Sequence, residues 1–194
     1  LYQNILDTSI LEIIAVIFSL LYVFLLAKEI IWCWLFGILS SLLSIALFFY
    51  AELYSETILS LFYVVIGVYG WYVWHQKIEE KEIAISKWNF LTHIKLILIG
   101  IAATFLLGWF MSGQGGKSPY IDATTTVFSF IASYLQVHKI LSNWLFWIII
   151  NAVSVYLYAT RGLDIYAGLM VLYTGLSIWG LIDWQRKLKL MDKI

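Results

Sequence analysis

Three residues in the second half of the chain could handle a flat organic molecule. Trp144, Trp147 and Asn151, in the run NWLFWIIIN, are spaced i, i+3, i+7, which places them on one face of a helix. Indole faces attract flat rings and cations, and an amide offers both a donor and an acceptor. Asn151 lies about two turns into an apolar stretch, where an unpartnered amide is costly. It is therefore expected to face protein or a polar cavity rather than lipid. The plainer alternative is a Trp anchored at a membrane interface and an Asn joining two helices. Both readings stand for Trp144; the Trp147–Asn151 pair is read as part of a binding site.

Other polar intrusions extend this set. Gln136 sits seventeen or so residues into another apolar stretch, where it would bond either a ligand or a neighbouring helix. Tyr63 and Tyr173 would line a path or serve as ordinary packing. Ser41 is a small polar residue in the second apolar stretch. Asp122, in PYIDATTT, is placed to cap a helix N-terminus, where the dipole favours its carboxylate. A gate or cation attractor is the competing reading for it.

Catalysis finds no comparable set. Cys33 is the single cysteine, and His75, His93 and His138 are scattered, so no metal site and no cofactor is expected. No nucleophile–base pair is visible, and the chain is not expected to be an enzyme. SGQGGKS at 112–118 lacks the GxxxxGK[ST] spacing of a phosphate loop. Twelve Lys and Arg against twelve Asp and Glu leave no net charge to draw nucleic acid.

These residues need apolar elements to hold them, and composition says which kind. Of 194 residues 62% are hydrophobic and 12% charged. A soluble domain carries about twice that charged fraction, and a fold of this size still needs a polar exterior in water. The solvent is therefore hydrocarbon. The chain begins at Leu1, so a native start is expected before it. Spans of about 20 apolar residues are expected near 10–27, 34–51, 57–75, 94–111, 121–137, 144–160 and 165–184, separated by charged breaks.

With seven spans, the two sides of the membrane receive very different charge. Lys28, Lys77, Lys81, Lys87, Lys95, Lys139, Arg186, Lys187, Lys189 and Lys193 fall on one side, Lys117 and Arg161 on the other. The positive-inside rule then puts the N-terminus outside and the C-terminus in the cytoplasm.

The chain also matches itself. A shift that lays Trp34 on Trp144 brings Phe18, Ser19, Leu25, Ile30, Leu35, Phe36, Ile38, Ser44, Leu47, Leu53, Leu59, Tyr63, Gly70 and Trp74 onto identical residues without a gap. Span one falls on five, two on six and three on seven. Three helices per copy is an odd number, so directly joined copies would point in opposite directions; the fourth span reverses the chain and makes them parallel. The expectation is an all-α membrane protein of seven helices in a 3+1+3 parallel repeat. Its parts are a first repeat at 10–75, a cytoplasmic loop plus linker helix at 76–119, a second repeat at 120–186 and a cytoplasmic tail at 187–194. Parallel repeats are a transporter plan, with the ligand between the halves near mid-membrane. In this register Trp147 replaces Gly37, Asn151 replaces Ser41 and Gln136 replaces Leu26.

YGWYVW at 69–74, SNWLFWIIINAVSVYLY at 142–158 and the Asp of YIDA together resemble the PnuC family of bacterial vitamin B3 (nicotinamide riboside) transporters, relatives in fold of the SWEET sugar transporters. The resemblance covers nearly the whole chain, and Trp144, Trp147 and Asn151 match the family's signature. Ser41 and Ser60 depart from it, at positions where Asn and Gln respectively are common. The resemblance implies a homotrimer in the bacterial inner membrane that takes up nicotinamide riboside by facilitated diffusion. A cytoplasmic kinase would then trap the cargo as its phosphate. A sugar, another nucleoside or vitamin, or a non-transporting membrane scaffold are the alternatives.

Overall fold

A computed structural model describes residues 2–50, 54–76, 84–113, 118–160 and 164–191. It is built of seven helices: α1 (Tyr2–Ala27), α2 (Cys33–Tyr50), α3 (Tyr54–Gln76), α4 (Phe90–Ser112), α5 (Pro119–Val137), α6 (Asn143–Thr160) and α7 (Asp164–Met191). Lys77, Lys81, Lys117, Arg161 and Lys193, used above for orientation, and the glycine-rich residues 114–117 lie outside the described residues.

Six of the helices are long and apolar enough to cross a membrane, among the described residues. The fifth of the expected spans is the exception. Helix α5 has 19 residues, but Asp122, Thr124, Thr125, Thr126, Ser129, Ser133 and Gln136 dilute its apolar character. Its polar residues turn inward: Ser129, Ser133 and Gln136 lie at i, i+4, i+7 and all three are buried. A helix can belong to a membrane bundle without being hydrophobic all round when protein rather than lipid covers its polar stripe.

The chain forms two compact units, Leu1–Ile83 and Ala84–Ile194. In the first, α1 packs on α2 and α2 on α3; in the second, α4 packs on α5, α5 on α6 and α6 on α7. Each unit carries the same helix–helix corner. After α1, the N–H of Glu29 bonds Leu26 O at 2.9 Å and that of Ile30 bonds Leu25 O at 3.0 Å. After α5, the N–H of Lys139 bonds Gln136 O at 3.1 Å and that of Ile140 bonds Leu135 O at 2.8 Å. Both are Schellman turns, and in both the residue forced into the left-handed region is not glycine: Glu29 at φ 61° and Lys139 at φ 50°. The repeated Leu25/Leu135 and Ile30/Ile140 supply the apolar pair that closes such a turn.

The best-matched residues of the repeat form one packing lock per unit. The rings of Trp34 and Trp74 meet edge-on at 5.4 Å and 89°, those of Trp144 and Trp184 at 5.4 Å and 84°. A Cβ added to Gly70 would come within 2.6 Å of the Trp34 ring, and one added to Gly180 within 2.6 Å of the Trp144 ring. Glycine is needed there because the indole lies against the helix backbone itself.

Candidate functional site

The turn at Lys139 launches α6 with Asn143 fully buried and its Nδ2 donating to Ile140 O at 2.8 Å. One residue on, Trp144 is 1% exposed, enclosed by Trp184 and Gly180. Its Nε1 is buried without a hydrogen-bond partner, as is that of Trp34 in the first unit. One turn further, Trp147 is half-buried, and its Nε1 donates to Oε1 of Gln136 on α5 at 2.7 Å. That bond spans two helices and satisfies both an indole N–H and a buried amide oxygen.

Asn151 follows one further turn along the same face and is 6% exposed. Its Nδ2 approaches Oγ of Ser177 on α7 at 3.5 Å, a long contact at the limit of a hydrogen bond. Such a weakly engaged amide retains much of its bonding capacity. Ser154, on the same face as Asn151, and Ser177 are both buried. The structure thus joins Gln136 to Trp147 and Asn151 to Ser177, bringing α5, α6 and α7 together around one polar stripe. Tyr173 is half-buried on α7, one turn before Ser177.

The remaining sequence candidates have simpler surroundings. Ser41 and Tyr63 are half-buried on α2 and α3 of the first unit. It is Ser40, beside Ser41, that ties helices together there, its hydroxyl donating to Ala15 O on α1 at 2.8 Å. Asp122 is half-buried in the first turn of α5, where the dipole favours its carboxylate, but it is not the cap: the N-cap residue is Ser118, whose side chain makes no capping hydrogen bond. Among the described residues no group of three or more His, Cys, Asp or Glu side chains could hold a metal ion.

Sequence reasoning passed over two features. Ser177 stands where the first repeat has Gly67, so comparing the copies position by position for polarity would have found it. The other is a strap ahead of α4. Ser86 N–H donates to Lys139 O at 3.1 Å and Leu141 N–H to Ser86 O at 2.9 Å, pairing this segment with the α5–α6 turn. His93 reinforces it: Nδ1 lies 2.9 Å from Asn89 O, so it carries the proton there, and Nε2 lies 2.7 Å from Ser142 Oγ. Trp88 packs on both His93 and Tyr134, and Tyr134 on His138. No sequence period announces a single bridge of this kind.

Comparison with known proteins follows the same outline. The family described as nicotinamide mononucleotide transporter matches residues 9–186. The nicotinamide riboside transporter PnuC of Escherichia coli (strain K12) is 26% identical over 92% of this chain and 86% of its own length. That of Neisseria mucosa is 23% identical over 93% of this chain and 74% of its own. The riboflavin/roseoflavin transporter RibM of Streptomyces davaonensis is 23% identical over 79% of this chain and 74% of its own. A crystal structure of the vitamin B3 transporter PnuC superposes with a TM-score of 0.78, at 23% identity, covering 93% of this chain and 83% of that one.

Proposed function

The chain belongs to the nicotinamide mononucleotide transporter family, a family of multi-pass bacterial membrane transporters rather than enzymes, and from that premise we propose that it carries nicotinamide riboside into the cell. Helices α1–α3 and α5–α7 act as two repeats with α4 as the reversing helix, and transport proceeds by alternating access. The protein sits as a homotrimer in the inner membrane; the lopsided distribution of loop lysines favours an N-terminus outside and a C-terminus in the cytoplasm. Movement is uniport, and phosphorylation in the cytoplasm holds the cargo inside.

The observation that most favours this cargo is the Trp147–Gln136 and Asn151–Ser177 arrangement. Nicotinamide riboside is a flat pyridinium cation with a carboxamide and an uncharged sugar. The Trp147 face would attract the ring by stacking and cation–π interaction, on the order of 1–2 kcal/mol. The Asn151 amide would pair with the carboxamide or a ribose hydroxyl. Tyr173 adds a phenol from α7, with Ser41 and Tyr63 contributed by the first repeat. Trp144 takes the packing role its burial favours, fixing α6 on α7 so that the face bearing Trp147 and Asn151 holds its register. Asp122 sets a carboxylate against the positive end of the α5 dipole and supplies the charge of a gate at that end.

Proteoliposome uptake of labelled riboside tests this. Saturable uptake that equilibrates without an ion gradient is the expected result, and no uptake of any ligand would return the chain to the scaffold reading. Mononucleotide should compete at least about 100-fold more weakly than riboside, because its phosphate would enter a low-dielectric site without a compensating cation. Lys139 is the one buried Lys or Arg among the described residues, and it lies in the α5–α6 turn rather than along the site helices. Equal competition would defeat this cargo assignment. The likeness to RibM makes riboflavin the control ligand, and tighter binding of riboflavin than of riboside would replace the cargo while keeping the transporter.

A further inference from the structure

We propose that Gln136 is a positioning residue, whose side-chain carbonyl sets the orientation of the Trp147 indole and does not itself bond the cargo. The proposal rests on the reading of Trp147 as the ring that receives the cargo. Gln136 is 1% exposed, as is Leu26 at the matching place in the first unit, so an amide has been buried where an alkyl group would fit. Burial of an amide is unfavourable unless it is bonded. Its side-chain oxygen is met by the 2.7 Å contact from the indole N–H.

Trp147 has the reciprocal requirement. An indole has a single donor and no acceptor, so one well-placed oxygen satisfies it. Rotation about the bond from Cβ to the ring is otherwise soft, because that torsion has broad minima. A bond at Nε1 pins it and with it the plane offered to a flat ligand. In the first unit the two positions change together: Leu26 has no acceptor and Gly37 has no ring. Each change alone would be unfavourable, taking from a buried amide oxygen its indole donor or from a half-buried indole its acceptor. The two residues therefore form a matched pair, and the enclosed oxygen of Gln136 points at the ring.

A double-mutant cycle on the full-length protein separates this role from a direct contact. Riboside affinity and uptake kinetics would be measured for the unsubstituted protein, Q136L, W147F and the double variant, with thermal unfolding as a check on folding. Gln136→Leu installs the residue of the first repeat; Gln136→Met, of similar shape, serves if that variant unfolds. Q136L should weaken riboside binding about 5- to 10-fold, the loss of one hydrogen bond's worth of orientation. It should raise KM more than it lowers Vmax, and it should cause no further loss in the W147F background. Multiplying losses in the double variant would overturn the proposal, since Gln136 would then touch the cargo itself, and so would unchanged affinity in both Q136L and Q136M. Trp147→Ala is the separate control: full riboside affinity there would overturn the reading of the site and this proposal with it, whereas lost affinity there with multiplying losses in the cycle would overturn this proposal alone.

Discussion

The two units solve one packing problem in opposite ways. In the first, the Tyr22 ring lies over Gly37, where an added Cβ would meet Tyr22 Cδ2 at 2.9 Å. In the second, the matching positions are Ala132, fully buried, and Trp147. At these two positions the bulky ring stands on the first helix in one unit and on the second helix in the other, with a small residue at the matching place in each case. Leu26 and Gly67 of the first unit are likewise exchanged for Gln136 and Ser177 of the second. What stays the same is the frame: the Schellman turns, the Trp–Trp edge contacts and the glycines beneath them. Both units keep what fixes their helix crossings, while the second adds the side-chain contacts of Trp147 with Gln136 and Asn151 with Ser177.

The frame should break most dramatically, and equally in both units. Gly180→Ala would drive a Cβ to 2.6 Å from the Trp144 ring, and Gly70→Ala the same against Trp34. Neither indole can step aside, being 1% exposed in each case. Each substitution should cost about 3 kcal/mol or more through overpacking, read as a large drop in the thermal unfolding midpoint in detergent. A marked difference between the two would end the claim that the locks are equivalent.

Function should respond in only one unit. Exchanging the pair in the second unit, Ala132→Tyr with Trp147→Gly, gives it the first unit's residues at both positions. The protein should fold and riboside affinity should fall about 30-fold, near 2 kcal/mol, with the ring contact gone. The complementary exchange in the first unit, Tyr22→Ala with Gly37→Trp, should leave affinity within about threefold. Equal losses from both would show that the asymmetry between the copies is incidental to binding. Asn151→Ser, which installs the residue found at Ser41, is a smaller step: about a 10-fold loss, as for one polar contact in a site of low dielectric.

The frame was legible in the sequence because it is built from unusual residues in one register. Trp34/Trp144, Gly70/Gly180 and Trp74/Trp184 identify the locks, and helix positions followed from apolar runs with charged breaks. Helix α5 was legible as an element, while its weaker apolar character reflects the stripe of Ser129, Ser133 and Gln136 that only the packed structure shows to be internal. The site was half legible. Spacing put Trp147 and Asn151 on one face, but whether Trp144 shared their role depended on its enclosure by Trp184, which no periodicity states. The bond from Trp147 to Gln136 joins residues on different helices whose polarity alone did not say that they meet. The strap at Ser86 was invisible, because two backbone hydrogen bonds carry it and any side chain could stand there.

The smallest expected effect lies at the two turns, and its sign separates them. Glu29 and Lys139 occupy a backbone region that costs a non-glycine residue roughly 1 kcal/mol. Glycine removes that strain but enlarges the freedom of the unfolded chain, so the net gain is less than the strain itself. Glu29 is only half-buried, and Glu29→Gly should stabilise the protein by about 0.5 kcal/mol. Lys139 is 8% exposed, so its aliphatic stem is packed, and Lys139→Gly exchanges the strain relief for lost apolar burial of about the same size. The midpoint of thermal unfolding should therefore rise for Glu29→Gly and stay level or fall for Lys139→Gly. A rise of equal size in both would mean that the buried lysine contributes nothing to its corner, and that the strap at Ser86, which bonds the backbone of the same residue, holds that turn without help from the side chain.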